Sequence, residues 1–411
     1  MKLLQLGRKK DRINNRQKAE PTSLTALCFL SIVFCLITLP SCSSTKTLSV
    51  SPSGEVASGN PNEKSSLEKP ATNSGLSGEV KIDGSSSLFI LSEIIGEAFH
   101  KANSGVKVTL NSSNTTEGFK KLCAGEIDIS NASRPIKPEE IELCKKNNIE
   151  FIELPVSADG IVVAINSQNK AVAPNPQAKT VAVNPQDKTV VTAPQNTAVE
   201  CLKLEELKKI WDSSSEGNIK TWDRINPKFT KQPITLFAPD KDSGTYSFFS
   251  KAILGGEGKI RTDYTSSQDD NVLVLNVAAN QNAMGFFSYP YYETNKDKLK
   301  AVGIDSGKGC VKPSPDTIND GTYQPLSRPE FIYVQKESVS RPEVKGFVEF
   351  ILTRNSQKFF LEFGYIPLPE ELTKEAQQRF AEGKVGSIFQ SKESQLGVNI
   401  KNLKTKEKKH E

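Results

Sequence analysis

Three hydroxyl-rich turns, each placed where a short apolar strand gives way to an amphipathic helix, constrain this chain more than any other feature. They cover residues 84–87, 112–116 and 242–245 and read GSSS, SSNTT and DSGT. Strand–helix alternation indicates an α/β fold, in which ligands bind beyond the carboxyl ends of the strands. A helix N-terminus there offers unpartnered N–H groups and about half a positive charge. The three turns therefore predict a site for a small tetrahedral oxyanion, although each one alone is equally explained by ordinary helix capping.

The distribution of charge argues against a general nucleic-acid surface. The chain has 53 Lys and Arg and 48 Asp and Glu, which gives a formal charge of +5. Residues 1–41 hold seven of the basic and two of the acidic residues, so the remaining chain has 46 of each, 53 less 7 and 48 less 2. A neutral body lacks the field that attracts phosphodiester backbones. We therefore expect no nucleic-acid partner, and any anion site must be local.

Residues 1–41 are typical of a secretory signal peptide. A basic stretch precedes an apolar run without charge at 23–39, and small residues then lead to Cys42. The stretch before Cys42 resembles a bacterial lipobox, so we expect Cys42 to be lipidated and residues 42–78 to form a lipid-anchored flexible tether. An uncleaved transmembrane anchor is the alternative, since the run is just short of the ~20 residues that span a bilayer. Both interpretations place the body outside the cytoplasmic membrane, in the periplasm or at the cell surface.

Four cysteines follow the leader. In an exported chain an even number favours disulfides over metal ligation. Cys123 and Cys144 lie on successive helical segments and are able to meet, and Cys201 and Cys310 would then pair by default, although three connectivities remain open. With only two histidines and no Cys-x-x-Cys pair, we expect no metal site.

Two segments have biased composition. Residues 168–199 contain the near copies 175–181 and 184–190, too few to form a repeat domain. We interpret this segment as a low-complexity loop inserted between packed elements. Residues 392–411 form a charged tail, and we expect its last part, 401–411, to be frayed.

Charged residues near the turns are candidates for recognition of the anion. Arg134 follows a strand and precedes a helix, so its guanidinium is a candidate for a bidentate grip; the alternative is a solvated surface arginine. Phosphate carries a proton at neutral pH and sulfate does not, so a carboxylate in the site would favour phosphate. Asp83 and Asp159 are the possible carboxylate acceptors, and each is equally a turn residue.

Catalysis is disfavoured by what the sequence lacks. There is no Gly-x-Ser-x-Gly motif with a partner histidine, and no Gly-x-x-x-x-Gly-Lys-Ser/Thr loop. A phosphate-ester hydrolase remains the alternative of a different class.

Several motifs together resemble the phosphate-binding proteins of the Pst-type ABC uptake system, especially a lipoprotein-like subgroup of cyanobacteria. The resemblance covers about residues 79–370 and rests on the segments 83–87, 118–126, 128–136, 242–245, 267–274 and 325–329.

This resemblance implies a two-lobed α/β fold like that of type II periplasmic binding proteins, with mixed, mostly parallel sheets and the ligand cleft between the lobes. Lobe I would combine residues 79–156 and 326–391, and lobe II would be residues 157–325. The implied partners are inorganic phosphate and the permease subunits of an ABC importer, with no cofactor, and we expect a monomer. A phosphate sensor or scavenger of the same fold is an alternative role. The implied phosphate contacts are Ser86, Ser87, Leu88, Thr115, Arg134, Ser243, Gly244 and Thr245.

The chain departs from the family pattern near the predicted site. Thr116 and Glu117 stand where the subgroup tends to have glycine, and a glutamate pointing at an anion would repel it. Enteric-type members have an aspartate where Arg134 falls, so the charged partners are rearranged in this chain.

Overall fold

The structure is a computed structural model that describes residues 75–169, 172–183 and 190–389, together with Ile400 and Leu403. The predicted signal peptide, Cys42 and nearly all of the predicted tether lie outside the described residues. So does most of the predicted tail, but Ile400 and Leu403 are buried in the larger hydrophobic core. Leu403 lies in the segment expected to be frayed, and its burial is favourable because moving an apolar side chain out of water lowers the free energy.

Short strands alternate with helices along most of the described chain. The strands are β1 (Ser77–Gly84), β2 (Gly105–Leu110), β3 (Ile129–Ala132), β4 (Phe151–Asn166), β5 (Val172–Val183), β6 (Val190–Ala198), β7 (Cys201–Lys203), β8 (Thr235–Pro239), β9 (Thr265–Ser267), β10 (Ala283–Ser288), β11 (Leu299–Ala301), β12 (Gly303–Asp305), β13 (Cys310–Val311), β14 (Ser327–Gln335) and β15 (Ile366–Pro367).

The helices begin and end largely where sequence signals place them. They are α1 (Phe89–Ala102), α2 (Thr115–Cys123), α3 (Pro138–Lys146), α4 (Leu204–Trp211), α5 (Gly244–Leu254), α6 (Asp270–Ala279), α7 (Tyr289–Glu293), α8 (Pro315–Asn319), α9 (Pro342–Ile351), α10 (Arg354–Glu362) and α11 (Glu370–Ala381). In α5, for example, Ser243 caps the first turn and Gly255 ends the helix in the left-handed conformation.

One ten-stranded sheet organises the molecule. Its main path runs β2-β1-β3-β14-β4-β10-β8-β9, and β11 and β15 pair with β4 outside that path. The first part of β4 pairs with β14 and the last part pairs with β10, so this strand joins two halves of the sheet. We call them the β3 half, with β1, β2 and β3, and the β8 half, with β8, β9 and β10.

The α/β type II architecture is confirmed, but the sheet is less parallel than predicted. Within the β3 half, β1 is parallel to both β2 and β3, and within the β8 half, β8 is parallel to both β9 and β10. Every strand paired with β4 in the described residues is antiparallel to it, and β14 is antiparallel to β3. Strands β4 and β14 run in opposite directions, so they pair antiparallel at the centre of the sheet. Residues Leu67–Glu411 form one unit by their contacts, so the predicted lobe boundaries stay a prediction.

The insert at 168–199 contains two strands where the sequence predicted a loop. Strands β5 and β6 pair antiparallel with each other, with Val183 opposite Val190 and Thr180 opposite Ala193. The paired stretches are rich in Val and Thr, whose branched side chains favour extended backbone. The low-complexity repeat is therefore compatible with a hairpin.

Both predicted disulfides are present. Cys123, at the end of α2, bonds to Cys144 of α3, and Cys201 of β7 bonds to Cys310 of β13. The first bond ties together the two helices that follow β2 and β3. Among the described residues no helix has both the length and the hydropathy of a membrane span.

Candidate functional site

The first two hydroxyl turns meet at Ser133, which follows β3. Ser85 Oγ donates to Ser133 Oγ at 2.9 Å, and Thr115 Oγ1 lies 3.3 Å from the same oxygen. Because β1, β2 and β3 are parallel, their carboxyl ends share one edge of the sheet, and the turns that follow them come together there.

The third turn reaches the same point from the β8 half. Ser243 caps α5, with its Oγ accepting from the backbone N–H of Thr245 at 3.1 Å. A Cβ on Gly244 would lie 2.2 Å from Ser133 Oγ and 2.6 Å from Thr115 Oγ1. Only glycine therefore lets the N-terminus of α5 come this close to the other two turns.

Arg328 is the cation at this junction. It lies on β14, is fully buried, and donates through Nη1 to the carbonyl oxygen of Ser133 at 3.0 Å. Its Nη2 donates to Thr245 Oγ1 at 2.9 Å and to Asp159 Oδ2 at 2.6 Å, and its Nε donates to the same Asp159 oxygen at 2.9 Å. The guanidinium thus touches the Ser133 loop, the third turn and a buried carboxylate at once.

Both carboxylate oxygens of Asp159 already accept hydrogen bonds within the protein. Its Oδ2 takes both bonds from Arg328, while Oδ1 accepts from Ser288 Oγ at 2.8 Å and from the backbone N–H of Tyr289 at 3.0 Å. Asp159 lies in the predicted site, but its role in the structure is to hold the arginine.

A second buried carboxylate, Glu330, lies two residues after Arg328 on β14, with its Oε1 3.8 Å from Arg328 Nη2. Ser87 Oγ donates to its Oε1 and Ser157 Oγ donates to its Oε2 at 3.0 Å. Burial, together with the charge of Asp159, raises the pKa of Glu330 to about 8 against the opposing charge of Arg328. A neutral Glu330 avoids placing another negative charge beside an anion site.

A third carboxylate, Asp270, is the first residue of α6 and is also buried. Its Oδ2 accepts from Ser86 Oγ at 2.9 Å. The hydroxyl of Tyr291 donates to the carbonyl oxygen of Ser86 at 2.7 Å, which fixes the same residue from a second direction. Burial raises the pKa of Asp270 to about 7, against the hydrogen bond from Ser86 and the charge of Arg328.

Arg134, the arginine predicted to hold the anion, forms an ion pair with Glu140 instead. Its Nη1 and Nη2 donate to the two carboxylate oxygens of Glu140 at 2.8 and 2.6 Å. Nη1 also donates to the carbonyl oxygen of Pro135, Nη2 donates to Thr116 Oγ1, and the guanidinium lies over the ring of Phe119. Arg134 is buried as a bidentate ion pair, so the alternative of a solvated surface arginine does not apply either.

Asp83 lies beneath the first turn and faces away from the Ser133 junction. Its Oδ1 accepts from the backbone N–H groups of Gly84 and Ser113 and from Ser113 Oγ, and Lys121 Nζ lies 2.5 Å from Oδ2. Burial acts to raise the pKa of Asp83, but the bonds from Lys121, Ser113 and Gly84 outweigh it and lower the pKa. Asp83 organises the turn.

The remaining residues near the turns have simple roles. Leu88 is buried, and its backbone N–H donates to Ser85 O at 3.3 Å. Thr116 Oγ1 donates to the carbonyl oxygen of Asp242 at 2.8 Å, which joins the second turn to the third. Glu117 points outward and pairs with Lys120 at 2.5 Å, so it does not face the junction.

The sequence interpretation missed four residues of this cluster: Ser133, Arg328, Glu330 and Asp270. All four lie in the quoted family motifs or next to them. The strand at 327–335 also carries its own signal, since Arg328 and Glu330 lie directly before the apolar run at 331–334 in the same strand. Buried charged residues in a strand core are rare without a partner or a function.

The chain matches a model of the PBP superfamily domain over residues 69–355. It is 40% identical over 325 residues to protein SphX of Synechococcus elongatus, covering 79% of this chain and 87% of the relative. It is 34% identical over 306 residues to the phosphate-binding protein PstS of Staphylococcus saprophyticus, covering 74% of this chain and 84% of the relative.

A solved structure agrees with these relatives. The crystal structure of a possible phosphate-binding protein from Planctomyces limnophilus superposes with a TM-score of 0.54 and 36% identity, covering 75% of this chain and 99% of that chain. The chain therefore belongs to the PBP superfamily and, within it, to the PstS-type phosphate-binding proteins, in a group similar to SphX.

Proposed function

We propose that this protein captures inorganic phosphate at the Ser133 junction and delivers it to a Pst-type ABC importer. The observation that carries the proposal is the meeting of three hydroxyl turns and one buried guanidinium at a single point. Neutral hydroxyls and backbone N–H groups supply most of the donors that a dehydrated phosphate needs, and Arg328 supplies charge-assisted bonds. The proposal does not include catalysis of any reaction of phosphate.

The proposed contacts keep most of the sequence prediction and change its cation. They are Ser86, Ser87, the backbone of Leu88, Thr115, Ser133, Gly244, Thr245 and Arg328. Ser243 acts as the cap of α5, and Arg134 supports the second turn through its bond to Thr116 without contacting the ligand. Arg328 replaces Arg134 because its Nη1 and Nη2 reach Ser133 and Thr245 at the junction. Both Nη atoms of Arg134 are instead taken by the carboxylate of Glu140, and they contact only Pro135 and Thr116 besides.

Asp270 is the proposed acceptor for the proton of phosphate. Asp159 has both oxygens engaged, and Asp83 is held by Lys121 and Ser113. Asp270 instead accepts from the side chain of Ser86, itself a proposed phosphate contact. An ionised Asp270 would accept a bond from protonated phosphate and repel sulfate.

Calorimetric titration of the protein lacking residues 1–42 with phosphate and with sulfate tests the function. Phosphate should bind at micromolar Kd or tighter, about −8 kcal/mol or better, and sulfate should bind far more weakly. Equal binding of the two ions would contradict the carboxylate acceptor, and no phosphate binding would overturn the function. Hydrolysis of a chromogenic phosphate ester by the same preparation, lost in Arg328→Met, would instead favour the esterase.

The location and the partners extend the same proposal. The leader would export the chain, Cys42 would carry the lipid anchor, and the monomer would dock on the permease subunits. Mass analysis of the mature N-terminus tests the anchor, because an unmodified Cys42 contradicts it. Phosphate uptake by cells that lack the gene separates transport from a sensing or scavenging role, since loss of uptake is expected only for transport.

A further inference from the structure

The residues at the Ser133 junction are closed off from solvent. Thr115, Ser133 and Arg328 have a relative exposure of 0%, and Thr245 has 1%. A phosphate ion can reach them only if the β3 half and the β8 half separate. Contacts that bridge the two halves therefore control entry and release.

Two of these bridges belong to the site itself. Gly244 packs against Ser133 and Thr115, and Thr116 bonds to the carbonyl oxygen of Asp242. Changing them alters the anion site, so neither can report on closure alone.

A third bridge lies just outside the site. Lys137 Nζ, on the residue that caps α3 in the β3 half, lies 2.8 Å from Glu257 Oε2, which follows α5 in the β8 half. Both ends of the pair are held in place. The backbone N–H of Lys137 donates to Glu140 at 2.8 Å, and Glu257 Oε1 accepts from Ser247 Oγ at 2.7 Å.

The surroundings favour an ionised carboxylate. Lys251, within α5, also lies 2.8 Å from Glu257 Oε1. Burial acts to raise the pKa of Glu257, but the bonds from Lys137, Lys251 and Ser247 outweigh it and lower the pKa to about 2. Ser247 lies about one helical turn after Gly244, so this carboxylate is close to the junction without belonging to it.

We propose that Lys137 and Glu257 form an electrostatic latch that holds the closed state and slows the release of phosphate. The inference rests on the proposed function. Lys251 serves as the matched control because it contacts the same carboxylate at the same distance, yet it belongs to α5 and bridges nothing.

The test compares Lys137→Ala, Lys251→Ala and Glu257→Gln in the protein lacking residues 1–42. Release is measured by chasing bound radiolabelled phosphate with excess unlabelled phosphate, and association by stopped flow. Lys137→Ala and Glu257→Gln should each speed release about three- to fivefold, the range of a partly exposed ion pair, with association unchanged. Lys251→Ala should leave release close to that of the parent protein. The Lys137→Ala effect should shrink as salt rises, because salt screens the pair.

Each other outcome overturns the latch. Slower association with unchanged release, equal for both lysines, would assign them to attraction of the anion from solution. Equal acceleration by Lys137→Ala and Lys251→Ala would mean that only local charge matters, and no effect of Lys137→Ala would mean that the pair holds nothing. Melting temperatures without phosphate identify a variant that is simply misfolded, and the double variant Lys137→Ala/Glu257→Gln should then release no faster than either single variant. If the parent protein binds no phosphate, the proposed function fails and not the latch alone.

Discussion

Two buried arginines of this protein, Arg134 and Arg328, differ in how they use their hydrogen-bond donors. Both sit close to proline in the sequence, both pair with a buried carboxylate, and both lie against an aromatic ring. The Arg134–Glu140 pair is local, since the two residues are six positions apart and share the start of α3. The Arg328–Asp159 pair joins β14 to β4 through Nε and Nη2, while Nη1 reaches Ser133 and Nη2 also reaches Thr245.

The difference is the reason for proposing Arg328, and not Arg134, as a phosphate contact. A bidentate pair with a carboxylate consumes the two donors best placed for an anion, as in Arg134. In Arg328 the carboxylate takes Nε and part of Nη2 through a single oxygen. The remaining donors then face the hydroxyl turns, where a phosphate would replace or extend their present partners.

Removing Arg328 should have the largest effect on phosphate binding. Arg328→Met deletes two charge-assisted bonds of roughly 1.5–3 kcal/mol each, so we expect affinity to fall about a thousandfold. The variant also strands the Asp159 carboxylate, so the double variant Arg328→Met/Asp159→Asn is the control that relieves an unpaired charge. Calorimetry of both should give the same loss of affinity. Recovery of binding in the double variant would contradict a direct contact.

Removing Arg134 should instead damage stability. Arg134→Met leaves Glu140 buried without its partner and should lower the free energy of unfolding by about 3–5 kcal/mol. Phosphate affinity of the folded protein should change less than about threefold, within the usual effect of distant substitutions.

The paired substitution Arg134→Met/Glu140→Leu sharpens this result. Replacing both charges with apolar side chains of similar size is expected to restore most of the lost stability. Denaturant titration measures it. If Arg134→Met weakens phosphate binding as much as Arg328→Met does, the original sequence prediction is right and the assignment to Arg328 is wrong.

The hydroxyl that Arg328 contacts should have an intermediate effect. Thr245→Val removes one buried hydroxyl and should weaken phosphate binding by roughly 1–3 kcal/mol. Ser243→Ala, in the same turn, removes the cap of α5 and should lower stability by about 1 kcal/mol with little change in affinity. Calorimetry and thermal unfolding of the two variants separate these roles, and equal losses of affinity would make Ser243 a contact as well.

The smallest effect that we expect concerns Asp270 and the slope of the free energy of unfolding against pH. Because burial raises the pKa of Asp270 from 3.8 to about 7, the folded state holds a proton that the unfolded state has released between these values. Stability without phosphate should therefore fall as pH rises through this window. Asp270→Asn cannot ionise and should flatten that fall, as measured by denaturant unfolding at several pH values. The same variant should bind sulfate better relative to phosphate, and an unchanged selectivity would exclude Asp270 as the acceptor.

Much of the fold could be predicted from local patterns. The helical spacing of apolar residues in 88–99 and 204–211 predicts two helices, which are present as α1 and α4. The β-rich composition of 151–165 predicts extended chain, which is present as β4. The Cys123–Cys144 disulfide agrees with the predicted placement of both cysteines on successive helical segments. The antiparallel pairings of β4 could not be predicted in the same way, because they depend on which distant strands lie beside it.

The sequence by itself determined the hydroxyl turns, the α/β class and the anion chemistry, because capping, strand patterning and turn composition act over a few residues. Only the tertiary structure decided which charged residues meet at the Ser133 junction. Arg328 meets Thr245 and Asp159 across 83 and 169 positions, and the direction of a guanidinium depends on such distant partners. The position of Arg134 between a strand and a helix made it the stronger candidate in the sequence, but in the structure its guanidinium pairs with Glu140, six residues away.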